Sequence, residues 1–140
     1  MNHALFENIK KLPDELISTI YNFIPKKTLI FTNRENYNLY HKYLKKYITN
    51  YENYIRDTIR RDNHFVIGKI IEENFNLWIK IHDYMYKNLI FKNYLYFVTH
   101  YCIENDSNKC REVVMEFLKQ QRFGKNLHKK NIVKYIRWKN

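Results

Sequence analysis

The chain has 140 residues, 45% hydrophobic and 28% charged, with a formal net charge of +11. That length is close to one domain and carries enough apolar material for a core, while two glycines and two prolines leave little for tight turns, which argues against an all-β fold and for helices joined by short polar loops. No apolar run reaches the length of a membrane span, and Met1 to Lys11 lacks the apolar stretch and small-residue cleavage site of a signal peptide, so the expectation is neither a secreted nor a membrane-spanning protein.

The charge is unevenly placed. Residues 1–50 hold eight Lys/Arg against four Asp/Glu, residues 51–121 ten against ten, and residues 122–140 seven against none. An electrostatic function is therefore expected at the C-terminus, facing an acidic surface, nucleic acid or anionic lipid. The Tyr, Lys and Asn counts carry no weight by themselves, because an AT-rich coding sequence produces the same bias.

In chain order, Leu12-Pro13-Asp14-Glu15 reads as a helix start, with Pro13 near the first turn and acids where the helix dipole is positive. Leu16, Ile17, Ile20, Phe23 and Ile24 recur at helical spacing, and Pro25 stops the run. An apolar stretch Thr28 to Phe31 and a stripe of Tyr37, Leu39, Tyr40, Tyr43, Leu44 and Tyr47 follow, so residues 12–48 parse as three short helices. From Tyr51 longer helices are expected. Their stripes are Tyr54, Ile55, Thr58 and Ile59; then Phe65, Val66, Ile70 and Ile71; then Trp78, Ile79 and Ile81. Two more follow, Tyr94, Phe97, Val98, Tyr101 and Cys102, then Cys110, Val113, Val114, Phe117 and Leu118, separated by Asn105-Asp106-Ser107-Asn108 as an antiparallel helical hairpin. Phe65–Asn74 aligns with Phe97–Asp106, a 32-residue offset of the kind expected for stacked, ankyrin-like helix pairs, although the Thr-Pro-Leu-His turn is absent.

The run Leu12-Pro13-Asp14-Glu15-Leu16-Ile17, with Ile20, Phe23-Ile24-Pro25, Leu29 and the later stretch Leu39 to Leu44, resembles an F-box over residues 12 to about 46. The family's third-helix Cys-Arg-x-Trp-like element is replaced here by Asn33-Arg34-Glu35-Asn36-Tyr37. The resemblance implies a three-helix module that docks on a Skp1-like adaptor of a ubiquitin ligase, with Leu12, Pro13, Leu16, Ile17, Ile20, Ile24 and Pro25 as partner-binding positions. An F-box-like segment followed by degenerate repeats, in this composition, is similar to proteins of large DNA viruses. That likeness implies the cytoplasm or nucleus of an infected cell, or a virion.

The C-terminal segment is expected to form a basic amphipathic helix, with Ile132, Val133 and Ile136 on one face. Arg122, Lys125, Lys129, Lys130, Lys134 and Arg137 supply charge, and Trp138 and Tyr135 can stack. Capping of the core by this helix, with solvated lysines, is the alternative. Arg56, Arg60 and Arg61 stand among Asp57 and Asp62, where local ion pairing accounts for them.

No nucleophile with its base, paired carboxylates, phosphate loop or metal-ligand spacing is present. The six histidines are scattered, and adjacent Glu72 and Glu73 on a helix point apart. Neither enzyme activity, a cofactor nor a metal is expected. Cys102 and Cys110 could pair in a disulfide, though compartment priors favour free thiols. The expected fold is all-α: an F-box-like module (1–50), an antiparallel helical repeat (51–121) and a basic C-terminal helix (122–140), together one compact unit. Two functions stand beside each other, a non-catalytic protein–protein adaptor and a basic nucleic-acid-binding or virion-associated protein. The sequence says nothing of the oligomeric state.

Overall fold

The computed structural model describes residues 8, 9 and 11–123 and the backbone of 132–135. These residues are mostly helical with one small antiparallel sheet, and the chain divides into two compact units, Met1–Thr49 and Asn50–Asn140.

In the first unit α1 (Asp14–Phe23) starts on the carbonyl of Pro13, which accepts from Leu16 and Ile17 N–H at 3.0 Å. It stops where Ile24 is extended (φ −79°, ψ 125°), the conformation that Pro25 imposes on its predecessor. Pro25 then opens the single turn α2 (Lys26–Leu29). The Asn33 side chain caps α3 (Arg34–Tyr40) by accepting the Asn36 N–H at 2.7 Å. A 3-10 turn (His41–Tyr43) leads directly into α4 (Leu44–Tyr47). Among the described residues of this unit the buried apolar ones are Leu29, Ile30, Tyr37 and Leu44, and α1 contributes none.

The second unit begins with α5 (Tyr51–Arg60) and α6 (His64–Trp78), capped by Asn50 and Asn63. A β-hairpin of β1 (His82–Tyr86) and β2 (Leu89–Asn93) leads into α7 (Tyr94–Glu104), whose N-cap Asn93 ends β2. After α8 (Asn108–Gln120) the chain returns as β3 (Ile132–Tyr135), antiparallel to β2. The sheet order is β1-β2-β3, with Tyr86 opposite Leu89 and Ile90 opposite Lys134. Helices α6 and α8 pack together, with the Phe75 and Phe117 rings 5.4 Å apart in an edge-on arrangement. The aromatic core centres on Phe97. The rings of Tyr84, Tyr86, Phe91, Tyr94 and Tyr101 lie 4.7 to 5.9 Å from it, in tilted and edge-on arrangements that suit the ring quadrupoles.

Three sequence expectations are corrected. The hairpin at 82–93 interrupts the all-α reading. Its two-residue connection needs a left-handed residue, and with no glycine there Lys87 takes φ 53°, a cost of about 1–2 kcal/mol that the aromatic packing of Tyr84 and Tyr86 offsets. Residues Ile132–Tyr135 form a strand rather than part of a basic helix: Ile-Val-Lys-Tyr has the β-branched and aromatic character of strands, and β2 offers it an edge. The 32-residue offset also fails. It places a helix end at Glu72-Glu73-Asn74, yet α6 continues to Trp78, and Asn74 is buried, donating to the Ile70 carbonyl at 2.7 Å and to Tyr51 Oη at 3.3 Å. The correspondence lies instead between the turns of α5–α6 and α7–α8, at Asp62 and Asp106. Both aspartates are left-handed (φ 48° and 53°), and both turns repeat the same two bonds: Asn63 N–H to Thr58 O matches Ser107 N–H to Cys102 O, and Asp62 N–H to Ile59 O matches Asp106 N–H to Ile103 O. The expected local ion pairing of the arginines is present, Arg60 with Asp57. Arg56 pairs with Glu52, and Asp62 serves as a helix cap.

Candidate docking surface

The seven F-box-like positions fall on α1 and its flanks. From Leu16, residues 20 and 23 follow at four and seven positions, so Leu16 and Phe23 lie almost in line along the helix, and Ile17, Ile20 and Ile24 form an adjacent stripe. The two stripes differ in environment. Ile17, Ile20 and Ile24 are half-buried, whereas Leu12 is 37% exposed, Leu16 51% and Phe23 83%. Pro13 and Pro25 are exposed at the two ends. The result is one apolar strip along a ten-residue helix, its inner edge partly covered and its outer edge in solvent. Thr19, between Leu16 and Phe23, turns its hydroxyl back to the Glu15 carbonyl at 2.8 Å, so the strip presents little unsatisfied polarity.

Phe23 is the most exposed of these side chains, and it belongs to the F-box-like run without being among the seven expected partner-binding positions. Its place seven residues after Leu16 marked it as sharing that side chain's face, but periodicity does not distinguish a face that is covered from one that is not.

Charge gathers immediately beyond the strip. The ammonium groups of Lys26, Lys42 and Lys46 stand 5.5, 5.3 and 5.7 Å from the centroid of the Tyr43 ring. Among the described residues, the ion pairs formed within the second unit, Glu52–Arg56, Asp57–Arg60, Lys69–Glu72 and Lys87–Glu104, have no counterpart at these three lysines.

No protein-family model, curated protein or solved structure matches the chain.

In the second unit α6 and α8 leave a groove of about 360 Å³, with Gly68, Ile71, Val113 and Phe117 as its floor and Glu72, Glu112 and Glu116 at its rim. Of the residues expected to contact nucleic acid, Arg122 is exposed in a left-handed turn (φ 61°) after α8, and Lys134 lies in β3. Lys125, Lys129, Lys130, Arg137 and Trp138 lie outside the described residues. Among the described residues, no cluster of three His, Cys, Asp or Glu side chains is placed to hold a metal, and no helix is long and apolar enough to cross a membrane. Cys102 and Cys110 are buried and unpaired as thiols.

Proposed function

We propose that this chain is a non-catalytic adaptor that recruits a protein partner through the apolar strip of α1, with Leu12, Pro13, Leu16, Ile17, Ile20, Ile24 and Pro25 as the contact set and Phe23 added to it. A Skp1-like ubiquitin-ligase subunit is the partner class that the F-box-like resemblance names. The observation that carries the reading is that α1 is amphipathic and yet buries no residue, leaving Leu16 and Phe23 in water. An amphipathic helix laid into an apolar groove is a recurrent mode of recognition.

Magnitudes set what the strip must contribute. Burying Leu16 and Phe23 yields about 1.5–3 kcal/mol each, and association costs at least about 4 kcal/mol in lost freedom. Micromolar binding, about 8 kcal/mol, therefore requires Leu12 and the open sides of Ile17 and Ile20 as well.

The test is a pull-down of the intact protein from nuclease-treated and untreated lysate, beside a Leu16→Asp, Phe23→Asp variant. Both side chains are exposed, so the variant keeps its helical circular dichroism. A nuclease-resistant protein partner, retained by the wild type and lost by the variant, supports recruitment, and its identity decides whether it is Skp1-like. Capture of only nuclease-sensitive material, indifferent to the variant, overturns the reading.

A further inference from the structure

Three lysines share one aromatic ring. Lys42 precedes Tyr43, Lys46 lies one turn further on, and Lys26 comes from the start of α2, so the tertiary fold of the first unit brings the third ammonium group to the other two. All three side chains are exposed and Tyr43 is half-buried. Confined to the footprint of one phenol, the ammonium groups lie within roughly one Debye length of one another, about 10 Å at 0.1 M salt. Like charges spaced i,i+4 on a helix cost a few tenths of a kcal/mol. Lys26 adds to this, because a cation at the first residue of a helix meets the unfavourable end of its dipole. The ring's negative face returns about 0.5–1 kcal/mol per lysine and holds the three in place. Among the described residues no carboxylate pairs with any of them, although ion pairs form readily in the second unit.

We infer that the Lys26–Lys42–Lys46 cage around Tyr43 is an anion-binding site whose occupant is a carboxylate-rich peptide segment. Two features select this class. Lysines cover the ring face, so Tyr43 is not available to stack a base, as a platform for single-stranded nucleic acid requires. The cage also adjoins the apolar strip in sequence, since Lys26 directly follows Pro25 and stands three residues from Phe23. An apolar anchor with carboxylates beside it is a property of protein surfaces. The inference extends the docking reading by describing the charge of the partner, and its test avoids the strip itself.

That test is fluorescence anisotropy of fluorescein-labelled decaglutamate titrated with the full-length protein. Four proteins are compared: wild type; Lys26→Gln, Lys42→Gln, Lys46→Gln; a control Lys92→Gln, Lys109→Gln, Lys119→Gln that removes the same charge from exposed lysines of the second unit; and Leu16→Asp, Phe23→Asp. The cage variant is expected to lose roughly tenfold or more in affinity and the control about twofold, with wild-type binding weakening steeply between about 50 and 200 mM salt. Decaglutamate has no apolar side chain, so the Leu16→Asp, Phe23→Asp variant, which leaves the cage intact, binds within about the same twofold of the control. Equal loss in the two glutamine triples, or no binding, overturns the site. Tighter, cage-dependent binding of an oligothymidylate of equal charge overturns the peptide assignment. Circular dichroism of the cage variant verifies its fold. Failure of this titration leaves the pull-down result standing, and failure of the pull-down leaves this one standing.

Discussion

Asp62 accepts the backbone N–H of Cys110 at 2.8 Å, across 48 residues of sequence, so the turn between α5 and α6 supplies the N-terminal cap of α8. The neighbouring Lys109 N–H bonds the other carboxylate oxygen at 3.3 Å. In return, the Ser107 hydroxyl donates to the Ile59 carbonyl at 2.5 Å, and Ser107, at the N-cap position of α8, caps no N–H of that helix. The two equivalent turns are thus clasped to each other.

Replacing Asp62 tests the clasp. Asp62→Ala removes a helix cap and forces an alanine into left-handed backbone, and is expected to cost about 1–3 kcal/mol by urea denaturation. Asp62→Asn, which tolerates that backbone and keeps one acceptor, is expected to cost less than half as much. Partial burial pushes the Asp62 pKa up, but the N–H groups of Cys110 and Lys109 more than offset this and hold it below the ordinary value. A folded pKa below the unfolded one means the contribution is present above about pH 4 and is lost as pH falls through the folded value. The wild type should therefore lose more stability than Asp62→Asn on acidification below about pH 4.

Tyrosine titration probes the aromatic core from the opposite side. Burial, and for Tyr84 the hydrogen bond to Glu52, raises the phenol pKa values of Tyr51 and Tyr84 to about 12. The folded state then binds these protons more tightly than the unfolded chain, so the stabilisation is complete below about pH 10 and is lost as pH rises toward 12. Absorbance of tyrosinate should show a late-titrating class in the native protein that shifts to about pH 10 in denaturant.

Tyr94 makes a separate prediction. Its ring packs on Trp78, Tyr84 and Phe97, while its hydroxyl is buried with no hydrogen-bond partner among the described residues. Deleting an unsatisfied buried group removes a desolvation cost of about 1–3 kcal/mol, so Tyr94→Phe should raise the midpoint of unfolding, where an unchanged or lower midpoint would show that the hydroxyl is satisfied in solution.

Gly68 lies inside α6 with no positive φ, and a Cβ there would meet Val113 Cγ1 at 3.4 Å, an ordinary contact. Gly68→Ala is expected to stabilise by about 0.5–1 kcal/mol through helix propensity and a more restricted unfolded chain, measured as a shift in the urea midpoint without a change in slope.

Cys102 and Cys110 are buried as free thiols, and burial raises the pKa of Cys102 to about 12 and that of Cys110 further. Since thiolate is the reactive form, neither should react with a disulfide reagent at neutral pH while folded. Both should react once the protein is unfolded, and fast labelling of the native protein would contradict the placement.

Much of this was legible in the sequence because helices are local. Pro13 and Pro25 bracketed α1, the apolar stripes of α5 to α8 fell at helical spacing, and Asn105-Asp106-Ser107-Asn108 marked a helical hairpin. The hairpin at 82–93 was not legible. His-Asp-Tyr-Met-Tyr and Leu-Ile-Phe-Lys-Asn do not alternate cleanly, and their pairing depends on each other and on distant residues such as Glu52, Phe97 and Glu104. Nor could sequence tell that Ile17 and Ile20 would be partly covered while Leu16 and Phe23 stayed in water, because periodicity gives a direction around a helix and no information about what lies there. The Asp62–Cys110 clasp, the β2–β3 pairing and the meeting of Lys26 with Lys42 and Lys46 over Tyr43 join residues far apart in the chain. Tertiary packing alone decided them, since local propensity is silent on contacts whose closure entropy is met only when the whole unit folds.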